Sequence, residues 1–121
     1  MTVLAAFNNV IMKFIEDLIE TFPEEQEFKV FKNGLLLLKK TNPRKVLELF
    51  KYYSINFKDQ INNQDETFFI YTDSATLSES SDNYVTKILD KLKVYWKLLS
   101  DTNKAKIWQY LNTLIKLSEK C

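Results

Sequence analysis

Apolar side chains recur along this chain at helical intervals of three and four. Between about Thr2 and Thr21, Leu4, Phe7, Val10, Ile11, Phe14, Ile15, Leu18 and Ile19 form one stripe that Phe22 continues, while Asn8, Lys13, Glu16, Asp17 and Glu20 fall on the other side. The spacing predicts an amphipathic first helix. Thr21-Phe22-Pro23-Glu24 then reads as a stop and a restart, with Thr21 or Phe22 as the cap. Proline cannot continue one helix but suits the first turn of the next. A second helix is expected from Pro23 to about Lys40, with Phe28, Phe31, Leu35 and Leu38 facing inward. Glu24, Glu25 and Glu27 complement the positive end of its dipole, and Lys39 and Lys40 the negative end. Gly34 lies inside this helix, where glycine costs about 1 kcal/mol relative to alanine. Close approach of a second helix explains it, with a kink as the alternative.

Asn42-Pro43 repeats the restart signal and opens a third helix carrying Val46, Leu47, Leu49, Phe50 and Tyr53. Ser54 to Asn63 permits continuation or a second short helix, and Asn62-Asn63 favours a break. Asp65 to Tyr71 has strand-like residues behind an acidic first turn; without a second strand to pair with, a short helix is the reading adopted. Residues 72–82 read TDSATLSESSD, too polar to bury, and are expected to form a flexible linker. A fourth helix follows from near Asp82 or Asn83 to Leu99, with Val85, Ile88, Leu89, Leu92, Tyr95, Trp96 and Leu99 as its stripe. After the turn Ser100-Asp101-Thr102-Asn103, a fifth runs from about Thr102 to Ser118, with Ile107, Trp108, Leu111, Leu114, Ile115 and Ser118 inward. The short connection implies a helical hairpin with Trp96 and Trp108 in the core at its closed end. The fold class is therefore all-α. Residues 1–121 form a single helical domain of about five helices, an N-terminal three-helix unit plus a C-terminal antiparallel helical hairpin.

Composition narrows the chemistry. The 121 residues include no His, one Gly and one Cys, Cys121. Without His, and with its cysteine terminal, the chain cannot build a Ser-His-Asp or Cys-His constellation. One glycine cannot make either glycine-rich phosphate loop. The carboxylate groups Glu16/Asp17/Glu20, Glu24/Glu25/Glu27 and Asp65/Glu66 fall on helix exteriors or helix starts, where solvation or dipole complementation accounts for them. The expectation is a non-enzyme with no catalytic residue, no metal site and no cofactor. No apolar run approaches the ~20 residues that span a bilayer. The first apolar stretch lacks a basic leader and is interrupted by Glu16, Asp17 and Glu20, so an intracellular, non-secreted protein is expected. Cys121 fits a reducing compartment.

Charge changes the picture most. Seventeen basic and sixteen acidic groups almost cancel, but they are segregated. Residues 1–30 carry net −4, residues 31–58 net +6, residues 59–82 net −6 and residues 83–121 net +5. Opposite patches on one small domain suit self-association or docking onto a charged protein partner. The residues assigned as contacts are the basic strip Lys39, Lys40, Arg44, Lys45 and Lys51 and the acidic run Glu24, Glu25 and Glu27. The alternative function is sequence-tolerant nucleic-acid binding through phosphate contacts, with Tyr52, Tyr53 and Phe57 beside the lysines. A third reading is internal, with the basic strip facing the acidic segments.

The stretches FNNVIMKFIEDLIETFPEE, KKTNPRKVLELF and VYWKLLSDTNKAKIWQYLNTLIKLSEK carry three motifs. They are Phe14, Leu18 and Phe22-Pro23; Asn42-Pro43 with Phe50; and Trp96 followed by Ile107-Trp108, Tyr110 and Leu114. Together they resemble small all-helical proteins of nucleocytoplasmic large DNA viruses. The resemblance implies a viral protein, virion-associated or infection-related, acting by interaction in the host cytoplasm or virion. Sixteen Lys against one Arg, with frequent Asn, Ile and Phe, agrees with an AT-rich genome.

Overall fold

A computed structural model describes residues 2–54, 57–65 and 84–120. The expected short helix at Asp65 to Tyr71, the linker at 72–82 and the start of the fourth helix lie largely or wholly outside the described residues, as does Cys121. Six α-helices are described, with no strand among the described residues: α1 (Val3–Thr21), α2 (Gln26–Thr41), α3 (Pro43–Ser54), α4 (Lys58–Asn62), α5 (Tyr84–Tyr95) and α6 (Asp101–Glu119).

Each boundary has a local cause. Thr2 caps α1, its hydroxyl accepting from the Ala5 N–H at 3.0 Å. Beyond α1, the Glu25 N–H donates to the Phe22 carbonyl at 3.0 Å, closing a turn with Pro23 in its second position. The second helix therefore starts at Gln26, three residues later than the restart signal suggests, because Pro23 serves the turn. Pro43 opens α3 as expected. Asn42 joins the two helices through its backbone, donating to Leu38 O at 2.7 Å and accepting from the Lys45 N–H at 3.0 Å. The predicted fourth helix is α5, which stops at Tyr95 and tightens into a 3-10 turn at Trp96–Leu98. Ser100 then caps α6, accepting from the Asn103 N–H at 3.2 Å.

One apolar cluster joins all six helices. Phe7, Ile11, Phe14, Ile15 and Leu18 form the buried stripe of α1, and Ile107, Trp108, Leu111, Leu114 and Ile115 that of α6. The N-terminal helices pack on one another, α6 lies most extensively along α1, and α5 lies against α2 and α3. The two C-terminal helices thus find their main neighbours in the N-terminal unit and little contact with one another. Trp96 and Trp108 meet edge to face, 5.4 Å between centroids and 74° between planes. Phe7 and Phe50 tie α1 to α3 at 5.5 Å. Gly34 is buried, and α2 runs through it without a break from Gln26 to Thr41.

Asn8 corrects the polar face expected for α1: only 3% of its surface is exposed. Its amide donates to Pro43 O at 3.1 Å. Asn8 lies one turn from Leu4 and from Ile11, so it belongs geometrically to the apolar stripe and is satisfied there by the start of α3.

Candidate interaction surfaces

The basic strip starts where α2 turns into α3 and runs along α3 to Lys51 in its last turn. Lys39 and Lys40 occupy the last turn of α2. On α3, Arg44, Lys45 and Lys51 share the solvent side with Glu48 and Tyr52, while Val46, Leu47 and Phe50 point into the core. Lys39, Lys40, Arg44 and Lys45 flank the Asn42-Pro43 junction, and Lys51 lies two turns further along, in the last turn of α3. Arg44 reaches Glu48 on its own helix at 3.9 Å. Lys39, Lys40 and Lys45 have no ion-pair partner among the described residues.

The acidic run behaves differently. Glu24 is exposed. Glu25 turns toward α5, where its Oε1 lies 3.0 Å from Lys91 Nζ and accepts the Tyr95 hydroxyl at 3.0 Å. Glu27 Oε2 approaches the same ammonium at 3.1 Å. The Lys91 hydrogen bond, then that from Tyr95, holds the Glu25 carboxyl below its ordinary value. Bonding to Glu25 raises Lys91 in turn and also raises the Tyr95 phenol. Glu25 and Glu27 therefore join α2 to α5. Lys91 and Tyr95 have no sequence signal as their partners, because Tyr95 is 70 residues from Glu25.

A second polar pair bridges α1 and α6. The Tyr110 hydroxyl donates to Asp17 Oδ2, and the Tyr110 ring stacks on Phe14 at 5.1 Å. Burial first, then the Asp17 bond, pushes the Tyr110 phenol up to about 12. It stays protonated at neutral pH and acts there as a donor. Shallow grooves flank the pair, one lined by Leu18, Glu20, Asn103 and Lys106, the other by Val10, Lys13, Gln109 and Thr113. Two further ion pairs, Lys32 with Glu16 and Lys58 with Glu119, also join different helices.

Among the described residues no three carboxylates or thiols cluster in a way that holds a metal ion. No helix among them is long and apolar enough to cross a membrane. Comparison with protein-family models, curated proteins and solved structures finds no match.

Proposed function

We propose that the protein is a non-enzymatic docking protein whose basic strip, Lys39, Lys40, Arg44 and Lys45 at the α2–α3 corner and Lys51 in the last turn of α3, engages an acidic partner. One observation carries the reading. Two of the three acidic groups near the start of α2, Glu25 and Glu27, are already engaged with Lys91, whereas Lys39, Lys40 and Lys45 meet no carboxylate among the described residues. A surface that keeps several cations of one sign together raises encounter rates with an oppositely charged partner. The groups with displaced titration, Glu25, Lys91, Tyr95 and Tyr110, all belong to interhelical pairs, which supports a structural role for them.

The nucleic-acid reading has one observation in its favour: Tyr52 is exposed on the same face of α3 as the basic residues. Capture from the native source with wild-type bait and a Lys39→Glu/Lys40→Glu/Arg44→Glu/Lys45→Glu bait separates the two. A protein retained by the wild type and lost by the variant, at equal melting temperature, supports docking. Equal retention by both baits rejects it. A low-salt mobility shift of single- or double-stranded nucleic acid, with no protein retained, favours the second reading.

A further inference from the structure

The outer face of α2 is unusual for a surface helix, whose solvent side is normally polar. Its inner stripe is already buried through Phe28, Phe31 and Leu35. Yet Val30 is 58% exposed, Leu37 63% and Leu36 43%, three of the six large exposed apolar residues among those described. Gln26, Val30, Asn33, Leu37 and Lys40 are all exposed and follow one another at intervals of four, three, four and three. That is the spacing of a seam that receives a second helix. Val30 and Leu37, one heptad apart, stand nearly in line.

Resting on the docking reading above, we propose that this face of α2 receives an acidic amphipathic helix of a partner protein. Charge selects the occupant. Lys40 ends the stripe, Lys29 borders it on the same side as Lys40, and neither has an ion-pair partner among the described residues. Lys32 is held by Glu16, and the one acid of the helix, Glu27, is held by Lys91. The charges left for a partner beside the stripe are therefore cationic. Packing this face on the same face of a second copy would set Lys29 and Lys40 against like charges. A nucleic acid would satisfy the lysines but offer the phosphate backbone no use for Val30 and Leu37. A helix with Leu or Ile at the seam and Asp or Glu beside it satisfies both. Sixteen residues of α2 span about 24 Å, so the partner segment is about four turns long.

The test pans the full-length protein against a phage-displayed library of helix-forming peptides of about 20 residues. The enriched peptides are synthesised and titrated by fluorescence anisotropy. Enrichment of apolar residues at three-four spacing with flanking Asp and Glu is expected, and V30K/L37K should weaken binding at least about tenfold at an unchanged melting temperature. Failure to enrich any helix-forming peptide overturns the proposal, as does equal binding to wild type and V30K/L37K. Single-stranded oligothymidine perturbing the α2 amides, with no peptide enriched, reassigns the face to nucleic acid. If the corner charge reversal abolishes partner capture while V30K/L37K leaves it intact, docking stands and the α2 assignment falls.

Discussion

Asn8 of α1 donates its side-chain amide to the carbonyl of Pro43, 35 residues further on, at 3.1 Å. That part-buried bond ties the first residue of α3, next to Arg44 and Lys45, to α1. The other end of the amide, Oδ1, is buried without a hydrogen-bond partner. Removing a half-satisfied amide costs little, whereas an unpaired buried carboxylate costs much more. Asn8→Leu should therefore stay within about 1 kcal/mol of the wild type, and Asn8→Asp should lose about 3 kcal/mol at neutral pH. The penalty of the Asn8→Asp substitution should shrink on acidification, as the new carboxylate takes up a proton. Urea unfolding at two pH values checks both.

Trp108 is buried against Trp96 at the closed end of the hairpin. Trp108→Ala removes a large core side chain and its edge-to-face partner contact. Stability should fall by about 3–5 kcal/mol. In denaturant this appears as a lowered midpoint at constant slope.

The interhelical pairs predict opposite pH limbs. Glu25 has a carboxyl held below its ordinary 4.5, so the folded state binds its proton less tightly than the unfolded chain. Its contribution is present above 4.5 and is lost as pH falls through the lowered folded value. Glu25→Gln should be less stable than the wild type at neutral pH, and the two should converge in acid. Tyr110 is raised from 10.0 to about 12, so its contribution is present below pH 10.0 and is lost as pH rises through about 12. Tyr110→Phe should converge with the wild type on that alkaline side. Thermal melts across the two ranges report each limb separately.

Gln64 ends α4 in the left-handed region, with φ of 52°. The Asp65 N–H donates back to Gln60 O at 2.9 Å and the Gln64 N–H to Ile61 O at 3.1 Å, which completes a helix-terminating motif that favours glycine. Gln64→Gly should stabilise the protein by up to about 1 kcal/mol, and Gln64→Val should destabilise it by a similar amount. Chemical denaturation of the two variants gives the sign.

Local grammar explains which parts are legible in the sequence. The last helix is read to within one residue at each end, because Ser100 and a full apolar period mark it. The inner faces of α1, α2 and α6 follow from spacing alone. The start of α2 does not, since Pro23 serves a turn as readily as a first helical residue. Residue type places Asn8 on the wrong face, because its position in the stripe outweighs its polarity. The basic corner is legible as a run of charge around Pro43. The engagement of Glu25 by Lys91 and Tyr95, and of Asp17 by Tyr110 across 93 residues, is not, because no local period encodes such distant pairings. The exposed line from Val30 to Leu37 is equally hidden, because which side of an apolar helix stays uncovered depends on how its neighbours pack.

In the proposed docking, the α2–α3 corner binds through its cations. The direct measurement is the affinity of the captured partner for wild type and for Lys39→Gln/Lys40→Gln/Arg44→Gln/Lys45→Gln, titrated over a range of salt concentrations, with melting temperatures recorded alongside. Charge-driven docking requires a wild-type affinity that falls steeply with salt, a variant that binds weakly with a shallow salt dependence, and equal melting temperatures. Equal affinity and equal salt dependence in the two proteins would contradict it.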